Sequence, residues 1–268
     1  MIDETIFYNN LLTKKLGHNA ELFEKTEIST NEIVKSRICS DKLITAITLN
    51  QKNGRGRIGR NWHSEENKSL AMSFAVDAKL SLENMKSITL IAALSVVDAI
   101  ISPKIKPLIK WPNDILLEGK KVAGILTEVK NYRDNNYIII GIGVNISNTS
   151  FPMQINDTAT SLYMQGENAC PEKIAARILN AFEKRYNTYI NNGGFETQKD
   201  EYIRYMAGVN KEAAILDSSV SNGDIKGAKI IATGKLIGVN KYGNLIIESD
   251  NRKQIFESGE LSLRIKSN

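Results

Sequence analysis

Cysteine and histidine are scarce in this sequence, and no apolar run is long. The two cysteines, Cys39 and Cys170, stand far apart, which excludes a disulfide framework and a zinc ribbon. The two histidines, His18 and His63, have no ligand cluster beside them and read as surface or satisfied core residues. The longest apolar stretch, 88–101, is interrupted by Thr89, Ser95 and Asp98. It falls short of the roughly 20 residues of a membrane span. The mixed-charge start, 1–10, lacks an apolar signal region, so the cytoplasm is the expected compartment and a membrane is not an expected partner. Without a secretory signal, the glycosylation-type triplets at 67–69 and 145–147 read as chance matches. Neither sign of charge dominates: 35 Lys+Arg against 30 Asp+Glu leave +5, too little by itself to argue for nucleic acid.

What remains is ordinary globular material. Of 268 residues, 42% are hydrophobic and 24% charged, with a mean hydropathy of −0.25. This excludes a disordered chain, a collagen-like fibre and a membrane bundle. At about 150 residues per domain the length makes one large or two modest domains. Such a chain buries about 70–75% of its unfolded surface without covalent staples. We find no internal repeat and no low-complexity tract.

Apolar spacing predicts a short helix within 1–20, an extended segment at 21–27, and a helix running to about Arg37. The last is opened by the capping pattern Ser29-Thr30-Asn31-Glu32. Strands are predicted at 43–49 and 69–76, with a Gly/Arg loop at 54–60 between them. A long helix over 83–101 ends at Pro103. There follow a strand at 108–111, a hairpin of 115–117 and 122–129, and a nearly all-apolar strand at 137–146. That last strand is expected to be central and covered on both faces. Helices are predicted over 171–189, with Pro171 in the first turn, and over 195–206. Beyond Met206 the texture changes to short alternating runs at 213–216, 228–233, 235–239, 244–248, 253–257 and 261–265. That pattern predicts a small β-barrel and a boundary near 207.

The run Gly54-Arg55-Gly56-Arg57-Ile58-Gly59 matches G-x-G-x-x-G formally. A dinucleotide fingerprint needs a helix starting at the loop, whereas a strand follows here. No Gly-Lys-Ser/Thr ends the run, which excludes a Walker loop. A minor-groove arm is usually a disordered tail, and this segment is enclosed between strands. A plain basic turn would also fit the composition. Three glycines permit unusual φ angles, and the forked guanidiniums of Arg55, Arg57 and Arg60 suit carboxylates and phosphates. The loop therefore reads as a mobile lid for an anionic ligand, closed by Trp62, which either packs over it or anchors its end in the core.

Several segments carry a resemblance to a known family. Gln51-Lys52-Asn53-Gly54 through Trp62 resembles the biotin-binding loop of biotin protein ligases. So, in the same order, do Ser29-Thr30-Asn31, Lys110-Trp111-Pro112-Asn113-Asp114 with Lys121-Val122-Ala123-Gly124, and Gly141-Ile142-Gly143-Val144-Asn145. The terminal Gly259-Glu260-Leu261-Ser262-Leu263-Arg264 resembles that family's small C-terminal domain. The resemblance spans about 25–265.

It implies an α/β (α+β) fold. A mixed-sheet catalytic domain at 1–206 would bind biotin and ATP, followed by an SH3-like β-barrel at 207–268. It implies formation of biotinyl-5′-adenylate from biotin and ATP, then transfer of biotin to a lysine of a carboxylase carrier domain. By the same resemblance Arg55, Arg57 and Lys121 are the catalytic cations. Ser29, Thr30, Asn31, Gln51, Gly56 and Gly124 join those three as biotin contacts. Arg60, Lys110, Asp114, Lys121 and Asn145 contact ATP. Asp114 would hold Mg²⁺ through the phosphates, or would merely cap the turn after Pro112. Ser29 would also be a helix N-cap.

Only 28 residues precede Ser29, so no winged helix and no specific DNA binding are expected; a homodimer is left open. The rivals are a lipoate ligase of the same fold and a non-catalytic basic RNA-binding module. The Gly/Arg loop and the terminal barrel speak for biotin. The mild charge and the absence of interleaved aromatics speak against RNA.

Overall fold

The computed structural model describes residues 2–39, 43–77, 82–217, 229–258 and 261–265. In chain order its elements are α1 (Glu4–Asn9), β1 (Ala20–Phe23), α2 (Thr30–Ile38) and β2 (Thr45–Thr48). A short ribbon of β3 (Gly54–Arg55) and β4 (Asn61–Trp62) precedes β5 (Ser69–Asp77) and α3 (Leu82–Ile100). Then come β6 (Leu108–Lys110), β7 (Asp114–Leu117), β8 (Lys120–Tyr132), β9 (Asn135–Asn145), α4 (Pro171–Asn191) and α5 (Glu196–Tyr205). The C-terminal strands are β10 (Glu212–Asp217), β11 (Lys229–Val239), β12 (Leu245–Ser249), β13 (Arg252–Phe256) and β14 (Leu261–Ile265).

Seven strands form one mixed sheet in the order β1-β2-β5-β9-β8-β7-β6, in which only β1 and β2 run parallel. Its two faces differ in kind because successive side chains of a strand alternate. On β5, Leu70, Met72, Phe74 and Val76 join the main core under α3 and α4; on β9, Ile138, Ile140, Ile142 and Val144 do the same. Phe74 meets Phe182 of α4 edge to face at 4.8 Å, and each large side chain buried here is worth about 1.5–3 kcal/mol. The alternate positions are small or polar: Ala71 and Ser73 on β5, Gly141 and Gly143 on β9. Toward one end of that face α2 lays Ile33, Val34 and Ile38 on Ala46, Ala75 and Ile139. The expectation that the apolar strand is covered on both faces therefore holds at Ile139. At Gly141 and Gly143 the second face is instead the floor of a cavity.

The predicted elements correspond to those observed, with four differences. The N-terminal helix stops at Asn9 because the Asn10 side chain turns back to the Ile6 carbonyl. The Gly/Arg loop is not loop throughout: its ends pair as β3 and β4. The runs at 228–233 and 235–239 are one strand, β11; Gly234 is no turn but a point where a Cβ would sit 2.4 Å from the Glu248 carbonyl oxygen. Ala228 at the edge of the first run, and Gly259 and Glu260 of the terminal motif, lie outside the described residues. Lastly, only half of the expected capping box forms. Ser29 Oγ accepts from the Glu32 N–H at 3.3 Å, while the Glu32 carboxylate turns to Lys35 and Arg55.

The five C-terminal strands make an antiparallel sheet in the order β13-β12-β11-β10-β14. It packs directly on the first part. Trp111 Nε1 donates to the Gly243 carbonyl at 3.0 Å, and the main core runs through both parts. No described helix is long and apolar enough to cross a membrane.

Candidate active site

The cavity floored by β5, β8 and β9 is small, about 60 Å³. Its walls come from segments far apart in sequence: Ser29, Thr30 and Asn31 at the start of α2, Gln51, the Gly/Arg ribbon, and the start of β8. All nine residues read from sequence as biotin contacts line it: Ser29, Thr30, Asn31, Gln51, Arg55, Gly56, Arg57, Lys121 and Gly124. Trp62, Asn113, Leu126, Gly141 and Gly143 line it too.

The wall at α2 is a chain of short hydrogen bonds. Gln51 Oε1 accepts from the Thr30 N–H at 2.8 Å. Thr30 Oγ1 and Ser73 Oγ are hydrogen-bonded at 2.6 Å, and Ser73 Oγ donates to Asn31 Oδ1 at 2.6 Å. Thr30, Asn31, Gln51 and Ser73 are all buried, so each bond is made at low dielectric. The floor needs its glycines. A Cβ on Gly141 would fall 2.1 Å from Asn31 Oδ1, and one on Gly143 would fall 2.4 Å from the Trp62 ring. Trp62 thus neither covers the loop from outside nor anchors in the main core. Its indole lies on Gly143 and Gly124 within the cavity, its Nε1 buried with no partner among the described residues.

Cations converge on Asp114. Lys121 Nζ is 2.6 Å from Asp114 Oδ1 and 5.5 Å from the Trp62 ring centroid. Arg57 donates to Asn113 Oδ1 at 3.0 Å and reaches the Leu261 carbonyl of the C-terminal sheet at 3.4 Å. Asn113 is itself held, its Nδ2 donating to the Ile125 carbonyl at 2.8 Å. Burial lowers the Arg57 pKa, with Asp114 opposing and Arg60 adding to the fall. Lys110 is also pushed below its usual value, first by burial and then by Lys121, Arg264 and Arg60, against the pull of Asp114. Arg60 has Nε and Nη2 buried without a partner among the described residues. A buried guanidinium with idle donors is primed for an anion. At the tip of the loop Ile58 and Gly59 both have positive φ, 56° and 68°, an unusual conformation for a β-branched residue.

Arg60, Lys110, Asp114 and Asn145, read as ATP contacts, do not line the cavity. Asp114, through its pair with Lys121, stands at the rim with Arg60 and Lys110 in its field. Asn145 ends β9, with Nδ2 on the Thr160 carbonyl at 2.9 Å and Oδ1 buried and unpartnered among the described residues. The Asp114 carboxylate faces Lys121 across the hairpin. Among the described residues no three acids, histidines or cysteines gather as a metal site. A lone carboxylate ringed by cations fits a Mg²⁺ that arrives on ATP phosphates rather than one the protein holds by itself. Both histidines are exposed, and His18 Nε2 contacts the Thr13 carbonyl at 2.8 Å. Sequence reading missed Ser73, Glu128 and Arg264. The first two are lone polar residues in strands, and the last enters this field from the C-terminal sheet.

The comparisons with known proteins point to one family. The model of the Biotin/lipoate A/B protein ligase family matches residues 23–145. The bifunctional ligase/repressor BirA of Bacillus spizizenii is 33% identical over 263 residues, covering 94% of this chain and 76% of that protein. The biotin–[acetyl-CoA-carboxylase] ligase of Mycobacterium tuberculosis is 33% identical over 167 residues, 59% of this chain and 60% of that one. Among solved structures, the biotin protein ligase of Aquifex aeolicus in complex with biotin and ATP superposes with a TM-score of 0.76. It is 28% identical and covers 93% of this chain and 100% of its own. With its fold, cavity and relatives in agreement, the chain belongs to the biotin/lipoate A/B protein ligase family.

Proposed function

We propose that this protein is an ATP-dependent biotin–protein ligase, a carbon–nitrogen bond-forming enzyme. It joins biotin to ATP as biotinyl-5′-AMP, releases pyrophosphate, and passes the biotinyl group to a lysine of a biotin carboxyl carrier domain. The observation that carries this reading is the single cavity in which hydroxyls and amides of α2 meet Arg57 and Lys121. An apolar bicycle with a urea at one end and a carboxylate at the other asks for that combination. A lipoate ring has no urea to use Thr30, Asn31 and Gln51, which favours biotin within the family.

In the first step a biotin carboxylate oxygen attacks the α-phosphorus of ATP, and the bond to the β-phosphate oxygen breaks. Two anions must approach, so most of the work is orientation and charge neutralisation. Lys121, Arg55 and Arg57 supply positive charge where carboxylate and α-phosphate meet. Arg60, Lys110 and Arg264 take the outer phosphates, and Asp114 would hold a Mg²⁺ that arrives with them. Mg²⁺ would neutralise phosphate charge there. The Trp62 indole gives the base a flat apolar surface, and Asn145 Oδ1 offers it an acceptor. In the second step the carrier lysine amine attacks the acyl carbon and AMP leaves.

We assign residues 1–206 to the catalytic domain and 207–268 to an SH3-like barrel that closes over the phosphates. The chain acts in the cytoplasm, where ATP and a carboxylase carrier meet. Pyrophosphate release tests the reading. Release with ATP and biotin, but not with ATP and lipoate, is expected; the reverse preference would overturn it.

A further inference from the structure

Beyond the residues that touch the proposed ligand stands Glu128, on the same face of β8 as Gly124 and Leu126. Its two oxygens are divided. Oε2 accepts from Asn31 Nδ2 at 2.6 Å, and Oε1 pairs with Lys35 Nζ at 2.7 Å. Lys35 also pairs with Glu32 at 2.9 Å, and Glu32 with Arg55 of the ribbon at 3.0 Å.

We propose that Glu128 is a positioning residue that fixes the hydrogen-bond polarity of the α2 wall, so that the cavity selects a ligand with paired N–H donors. This rests on the biotin-ligase reading. An ionised carboxylate only accepts hydrogen bonds. Asn31 must therefore turn its NH₂ to Glu128, at 2.6 Å, with the Leu126 carbonyl a longer 3.5 Å from the same nitrogen, and its Oδ1 the other way, over Gly141. Ser73 then spends its single proton on Asn31 Oδ1, so the proton between Thr30 and Ser73 belongs to Thr30. Each step follows from the one before. Asn31 Oδ1 and Thr30 Oγ1 are both left as acceptors on residues that line the cavity. A cyclic urea carries two N–H donors, which match. Reverse the Asn31 amide and the whole chain reverses: Ser73 donates to Thr30, and the cavity presents protons to the urea N–H groups.

Lys35 makes the idea testable. In Glu128→Gln the shape is kept, but Lys35 draws the amide oxygen to itself and leaves the NH₂ facing Asn31. The amide of Asn31 then turns over. KM for biotin in ATP–pyrophosphate exchange should rise at least about tenfold, as for ligand N–H groups left facing donors instead of acceptors. KM for ATP, and kcat at saturating biotin, should stay within about twofold. Adding Lys35→Met to Glu128→Gln frees the glutamine oxygen for Asn31 and should bring KM for biotin back down. A merely structural role predicts a double variant no better than the single one. Ser73→Ala, which cuts the same chain one residue further on, should also raise KM for biotin and leave KM for ATP unmoved.

Unchanged KM values for biotin in Glu128→Gln and Ser73→Ala, or a double variant without recovery, would overturn this inference alone. Wild-type protein without biotin-dependent exchange would overturn the ligase reading and the inference with it.

Discussion

Lys121 Nζ lies 2.6 Å from Asp114 Oδ1 across the hairpin that joins β7 to β8. The pair is partly exposed, with side chains 35% and 26% accessible. Such a pair adds about 0–1 kcal/mol to stability. An incoming carboxylate and phosphate replace Asp114 as the partner of Lys121 at little loss. Lys121→Ala should therefore leave the melting temperature nearly unchanged and slow adenylation by roughly 10²–10³. Pyrophosphate release beside a thermal melt checks both halves.

Lys110 should trade stability for activity. Its pKa is lowered in the folded protein, chiefly by burial. The unfolded chain therefore holds that proton more tightly, and the charge destabilises the fold below the folded pKa. The penalty is lost as pH rises from there to the ordinary value of about 10.4. Lys110→Met should melt higher than wild type near neutral pH, with the gain shrinking toward pH ~10. The same variant should adenylate more slowly. A lower melting temperature at neutral pH would refute this placement of the charge.

The two short motifs were legible because their chemistry is local. Gly54-Arg55-Gly56-Arg57 and the block from Lys110 to Asp114 bring their own geometry, and the cavity gathers residues from both. The large–small alternation of β5 and β9 was also visible, yet it does not say that the small face stays open. Ser73 and Glu128 were illegible for a physical reason. A lone serine or glutamate in a strand gains meaning only when register sets it opposite α2. The same holds for Gly234, which looked like a turn until β12 was seen to pass 2.4 Å from its missing Cβ. The Arg57 contact to Leu261 joins segments with no local relation in sequence.

Gly141 should tolerate no side chain. Its Cβ would meet Asn31 Oδ1 at 2.1 Å, and overpacking of this kind costs about 1–3 kcal/mol. Because the strain falls on a ligand-facing amide, Gly141→Ala should raise KM for biotin by roughly tenfold or more. Its effect on kcat should be smaller. Steady-state exchange kinetics separate the two.

Arg57 should act on retention of the adenylate. It joins the ribbon to Asn113 and to the C-terminal sheet, closing a site where a mixed anhydride must be kept from water. Arg57→Gly should fold, form the adenylate more slowly, and then lose it to solution. A bystander protein in the same tube would gain biotin on its lysines, read by a streptavidin blot. In wild type, biotin with ATP should also slow proteolytic cutting within 54–60. Equal cutting with and without ligand would contradict the lid.

The most direct test of the account is the mass of an apo carrier domain after incubation with this protein, ATP and either biotin or lipoate. One biotinyl group on a single lysine, dependent on ATP and absent with lipoate, is the predicted result. A lipoyl adduct, or no adduct with biotin and ATP, would contradict it.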